Sequence, residues 1–122
     1  MKRCLIVDDS KVIRMVARKI IQELGFDTDE ASDGLEAIKS CEESMPQAIL
    51  LDWKMPTMDG LEFLKYVRAM PDGGQPVVIY CTTMGDAGHL EEAMAFGATD
   101  TLLKPFDAEI LTQKFAALGL LD

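Results

Sequence analysis

Ala48-Ile49-Leu50-Leu51-Asp52 is an apolar run closed by a carboxylate. Two other runs have the same form: Cys4-Leu5-Ile6-Val7-Asp8-Asp9 and Thr101-Leu102-Leu103-Lys104-Pro105. Between such runs lie amphipathic stretches, the alternation of strand and helix expected of a parallel sheet covered on both faces. The pattern predicts strands over 3–8, 27–31, 47–52, 76–82 and 100–103, and helices over 11–24, 34–44, 60–70, 87–96 and 108–118. In an α/β sheet of this kind the carboxyl ends of the strands share one edge, where ligand sites form. Asp8, Asp9, Asp52 and Lys104 then converge there from distant parts of the chain. Crowded carboxylates are costly to ionise unless a cation joins them, and hard oxygen ligands suit Mg²⁺. The edge reads as a metal-assisted phosphoryl acceptor.

With 122 residues the chain fits one domain, here taken as 1–122. Its hydrophobic fraction of 48% and charged fraction of 27% are ordinary for a globular protein. Lys and Arg number 12 against 21 Asp and Glu, and the net charge of −9 argues against nucleic acid or an anionic membrane as partner. No apolar run approaches the roughly 20 residues needed to cross a bilayer, and Met1-Lys2-Arg3 leads into too short a run for a signal peptide. A cytoplasmic protein without direct membrane insertion, acting as a monomer, is expected. Cys4, Cys41 and Cys81 make no CxxC pair and read as reduced, buried thiols.

In the first helix Ile13, Val16, Ala17, Ile20 and Leu24 recur at helical spacing as a buried stripe, with Gly25 as the stop. The second helix is expected to bury Leu35, Ile38 and Cys41, and the fourth Leu90, Ala93, Met94 and Gly97, each after an Asp-led start. The breaker-rich segment Pro71-Asp72-Gly73-Gly74-Gln75-Pro76 is a surface connection.

A carboxylate can attack phosphorus and form an acyl phosphate when a cation offsets the repulsion between the two anions. Asp52 is the candidate nucleophile, Asp8 and Asp9 the oxygen ligands that join it around Mg²⁺, and Lys104 the partner of another phosphoryl oxygen. A hydroxyl from Thr82 or Thr83 can serve a third. Alone, an Asp pair after an apolar run is more often a helix cap, Asp52 a turn residue and Lys104 a solvated strand end. Their conjunction reverses that reading.

Val7-Asp8-Asp9-Ser10, Leu51-Asp52-Trp53-Lys54-Met55-Pro56-Thr57-Met58-Asp59-Gly60, Cys81-Thr82-Thr83, Gly97-Ala98 and Leu103-Lys104-Pro105-Phe106 together resemble the receiver domain of two-component response regulators over essentially the whole chain. Without an attached output domain, the chain looks most like the stand-alone, chemotaxis-type members. The resemblance implies a flavodoxin-like, doubly wound α/β fold: a five-stranded parallel sheet in the order 2-1-3-4-5 with five helices. It implies Asp52 as phosphoacceptor, Asp8 and Asp9 as metal ligands with the backbone carbonyl of Lys54, and Thr82 as the switch hydroxyl with Thr83 as fallback. It further implies a cis Lys104-Pro105 peptide and a phosphohistidine donor on a histidine kinase or histidine phosphotransfer protein.

The chain departs from that family at Thr101, where many members carry an aromatic that turns inward on switching, and at Thr83 and Lys54 beside the acceptor. Lys11, Arg14 and Arg18 form a basic strip on the first helix, read either as a solvated face or as the kinase-docking surface the family places there. Trp53 is expected at the site edge, Met55 and Met58 as loop packing, and His89 on the surface. The expected function is a phosphorylation-dependent interaction module whose output partner is unknown. A phosphate sink or relay intermediate, a Mg²⁺-dependent aspartyl-phosphate phosphatase and a degenerate receiver are the alternatives. The phosphatase reading is weakened because Lys54 stands where such enzymes place a second Asp.

Overall fold

The computed structural model describes residues 2–83 and 90–121. Five strands, β1 (Arg3–Val7), β2 (Asp27–Ala31), β3 (Ala48–Asp52), β4 (Val77–Thr83) and β5 (Asp100–Lys104), alternate with five helices, α1 (Lys11–Glu23), α2 (Gly34–Glu43), α3 (Gly60–Ala69), α4 (Leu90–Ala95) and α5 (Ala108–Ala117). The strands form one parallel sheet in the order β2-β1-β3-β4-β5, the flavodoxin-like arrangement that the resemblance implied. Each predicted element is present, with ends that shift by a residue or a few. The Asp-led start expected for the fourth helix, and His89, fall outside the described residues.

All five residues of β3 are buried, as a central strand covered on both faces requires. On one side Ile49, Leu51, Val78 and Tyr80 pack with Phe63, Leu64 and Val67 of α3, Ala37 and Ile38 of α2, and Ala93 of α4. On the other, Ile6, Leu50, Ile79, Cys81 and Leu102 pack with Ala17, Ile20 and Ile21 of α1 and Leu111 and Phe115 of α5. β2 is an edge strand and carries the polar sequence Asp27-Thr28-Asp29-Glu30-Ala31. Side-chain caps start four helices: Ser10, Asp33, Asp59 and Asp107 accept from the amides of Ile13, Glu36, Glu62 and Ile110. Gly25, at φ +96°, closes α1 as expected.

The expected helix stripes need correction. Val16, Leu35 and Met94 are exposed, whereas Ile21 and Ala37 are buried. α1 meets the sheet and α5 through Ala17, Ile20 and Ile21, which turns Val16 to the flank of the contact. α2 meets its neighbours through Ala37, Ile38 and Cys41. Small residues at the contact let a helix approach closely, so the larger side chains beside them are displaced outward. In α4 Ala93 plays this part, and Leu90 is only partly covered.

Candidate functional site

β1 and β3 run side by side, with Val7 beside Leu51, so Asp8 just past β1 and Asp52 at the end of β3 reach the same edge. β4 continues that edge with Cys81 beside Asp52, and β5 brings Lys104 beside Thr83. α3 must begin directly behind Asp52. Gly60 allows this, because a Cβ there would lie 2.4 Å from the Asp52 carbonyl oxygen, and its N–H donates to the Trp53 carbonyl at 2.8 Å.

The Lys104 Nζ donates to Asp8 Oδ2 at 2.6 Å and to Asp52 Oδ1 at 2.9 Å. Asp8 and Asp52 are 4% and 6% exposed, while Asp9 is open to solvent. Each of the three carboxylates offers an oxygen within 4.8 Å of the other two, close enough for one ion to be shared among them. Asp8 is further fixed by the Ser10 N–H on its Oδ1 at 2.9 Å. Burial pushes the Asp52 pKa up, and the charges of Asp8 and Asp9 add to that push against the hydrogen bond from Lys104. For Lys104 burial disfavours the ammonium, but its bonds to Asp8 and Asp52 prevail and its pKa is raised. Three anions beside one cation make a set in which each group's charge depends on its neighbours, and the donor chemistry, carboxylate oxygen throughout, fits a hard divalent cation.

Thr82 is fully buried, and among the described residues its hydroxyl makes one long bond, to the Thr83 carbonyl at 3.4 Å. Thr83 is exposed. The Lys54 side chain is exposed in the loop after β3, and Trp53 is partly buried, packed against the α2–α3–α4 core with its backbone N–H on the Cys81 carbonyl at 3.2 Å. Met55 and Met58 pack against that same core, and the Lys104-Pro105 peptide is cis. Cys4, Cys41 and Cys81 are free and buried, and burial raises their pKa values, those of Cys4 and Cys41 to about 12 and about 11, so they stay thiols.

The basic strip is not a free patch. Glu30 on β2 accepts from Arg14 at 3.1 Å and from Arg18 at 2.9 Å, and Arg14 also donates to the Asp8 carbonyl at 2.7 Å. The neighbouring strand supplied a counter-charge invisible in the helix pattern. Beside the strip lies an apolar groove of about 390 Å³ lined by Val12, Ile13, Val16, Thr83, Lys104, Pro105 and Phe106. Val12 is 69% exposed. Val16, which helical spacing had assigned to the buried stripe, instead lines this groove with Val12, so the sequence pattern hid it.

The description "response regulator receiver domain" matches residues 4–116. The chemotaxis protein CheY of Listeria monocytogenes is 39% identical over 110 residues, covering 89% of this chain and 91% of that protein. The crystallised chemotaxis protein CheY4 of Vibrio cholerae superposes with a TM-score of 0.90 at 33% identity, covering 96% of this chain and 98% of that one. The receiver domain of sensor histidine kinase PA1611 from Pseudomonas aeruginosa, solved with a magnesium ion coordinated in the active site cleft, gives 0.86 at 28% identity and covers 95% of each chain.

Proposed function

The chain belongs to the response regulator receiver domain family, and on that premise we propose that it is a chemotaxis-type receiver, one domain over residues 1–122, whose Asp52 accepts a phosphoryl group. Receiver domains act in two-component signalling and interact with histidine kinases and downstream effectors. One observation carries the reading: Lys104 holds Asp8 and Asp52 together at the strand edge, with Asp9 in reach of both carboxylates.

The Asp52 oxygen attacks phosphorus, the P–N bond of the donor phosphohistidine breaks, and the electron pair returns to the imidazole, which leaves neutral once protonated. Asp8, Asp9, Asp52 and the Lys54 carbonyl are the groups that would hold Mg²⁺, which when bound there offsets the charge of the carboxylates and of the incoming group. Lys104 is already at Asp52 and transfers one of its hydrogen bonds to a phosphoryl oxygen. Thr82, with only a long bond to give up, donates to another. That rearrangement favours one of two conformations of the surface formed by α4, β5 and α5, and a partner that prefers it binds more tightly. The output is binding, so the chain is a phosphoacceptor that transfers and hydrolyses only its own phosphate. We place it in the cytoplasm as a monomer without nucleic-acid contact, consistent with its net charge of −9.

Labelling from a phosphohistidine donor tests the mechanism. Wild type takes phosphate at Asp52 with Mg²⁺, and both chelator and Asp52→Asn abolish it. Equal labelling in chelator, or phosphate mapped to another residue in wild type, overturns the assignment. The apolar groove beside Lys104 is where the donor protein docks in this reading. Val16→Asp therefore slows transfer from a protein donor about tenfold or more, the scale of a buried interface contact, and leaves labelling by acetyl phosphate unchanged.

A further inference from the structure

Tyr80 sits in the middle of β4 with its side chain fully buried, and its hydroxyl has no hydrogen-bond partner among the described residues. Phenylalanine would fill the same space without leaving a polar atom unpaired, so an orphaned phenol here costs stability in this conformation and calls for a reason. Its position supplies one. Tyr80 lies two residues before Thr82, on the side of the sheet packed by α2, α3 and α4. Its register neighbour on β5 is the small Thr101, and Leu90 and Ala93 of α4 belong to the same packed cluster.

Burial, with the charges of Asp59, Asp52 and Glu92, raises the phenol's pKa and keeps it a donor. Those carboxylates are the charged groups whose field reaches the phenol, and any of them could accept its proton if brought closer. Asp52 already accepts from Lys104, and Asp59 accepts the Glu62 amide that starts α3. Both stand on elements of the fixed frame, β3 and the first turn of α3. Glu92 is different: it is exposed, its carboxylate makes no hydrogen bond or ion pair among the described residues, and it stands on α4, the element that the phosphoacceptor reading moves. An acceptor out of reach on a fixed element stays out of reach, whereas one on a moving element can arrive.

We propose that Tyr80 is a positioning residue of the switch, whose hydroxyl gains Glu92 as its acceptor when Asp52 is phosphorylated and Thr82 draws the end of β4 toward the phosphoryl group. The inference rests on the phosphoacceptor reading. It gives the chain an aromatic coupling element on β4, next to a β5 position occupied by threonine. The bond exists in one state only, so it favours the phosphorylated conformation instead of the fold as a whole.

Tyr80→Phe removes one oxygen and keeps the ring that fills the core. Wild type, Tyr80→Phe, Glu92→Ala and the double variant are titrated with beryllofluoride at fixed Mg²⁺, read by the fluorescence of Trp53, the single tryptophan. The expected result is a half-saturating concentration raised about 3- to 10-fold in each single variant, with no further rise in the double. The metal-free Tyr80→Phe protein melts no lower than wild type. Unchanged half-saturation in Tyr80→Phe, losses that multiply in the double variant, or a lower melting temperature of the metal-free Tyr80→Phe protein each overturn the inference, the last because it shows the hydroxyl already bonded at rest. A wild type that does not respond to beryllofluoride overturns the phosphoacceptor reading itself.

Discussion

Lys104 and Arg68 are both cations held largely out of solvent at opposite edges of one sheet, and their partners differ in kind. Arg68, near the end of α3, donates to the carbonyls of Gly73 at 2.8 Å, Pro76 at 2.9 Å and Gly97 at 2.9 and 2.7 Å. Burial lowers its pKa, and no carboxylate among the described residues pairs with it to raise it again. Its partners are backbone groups at the breaks before β4 and β5, where the chain has no ladder to satisfy them. Gly97, at φ +110°, lies directly under the guanidinium. Lys104 instead bonds two carboxylates that repel each other and keep acceptor capacity to spare. One edge is complete and holds the fold, and the other is left with competing charges that an incoming anion and a cation can rearrange. The difference separates a structural buried cation from a functional one: what matters is whether its partners have an alternative.

The largest effect on stability is expected at the complete edge. Arg68→Met strands three carbonyls and removes a charge-assisted cluster, and urea denaturation should show a loss of about 3 kcal/mol. The folded protein should still label at Asp52 from acetyl phosphate. Loss of labelling with stability intact would erase the contrast between the edges. At the other edge the sign reverses. Asp9 is exposed and does not bond Lys104, so Asp9→Asn relieves repulsion without breaking a pair. Thermal melting in chelator should show a gain of about 1 kcal/mol. The rise in melting temperature that Mg²⁺ gives the wild type should shrink in the same variant, because a ligand is gone. A variant less stable than wild type in chelator would mean that the acidic edge is as settled as the one around Arg68. Thr101 lies on β5 between the edges and belongs to neither. Thr101→Ala should leave the half-saturating beryllofluoride concentration within about a factor of three of wild type, the scale of an ordinary substitution.

The acidic edge was legible in the sequence because each strand that builds it is an apolar run ending in a charged residue, and parallel strands must align those ends. The other edge was not. Arg68 looks like any basic residue in the last turn of a helix, and its carbonyl partners come from two loops that local pattern leaves undescribed. The pairing of the basic strip on α1 was hidden for a related reason: helical spacing placed Lys11, Arg14 and Arg18 on one face, but Glu30, which pairs with two of them, arrives through the pairing of β2 with β1.

The sequence by itself determined the alternation of five strands and five helices, the Asp-led start of the second helix, and the set Asp8, Asp9, Asp52 and Lys104. These follow from periodicity and from charge at the ends of apolar runs, properties of neighbours along the chain. Tertiary structure alone decided which large side chains on the helices face out, which cations are already paired, and that the Tyr80 hydroxyl is enclosed without a partner among the described residues. Burial and pairing depend on what other segments bring to the same point in space, and a linear pattern shows a residue's chemistry without showing what meets it there.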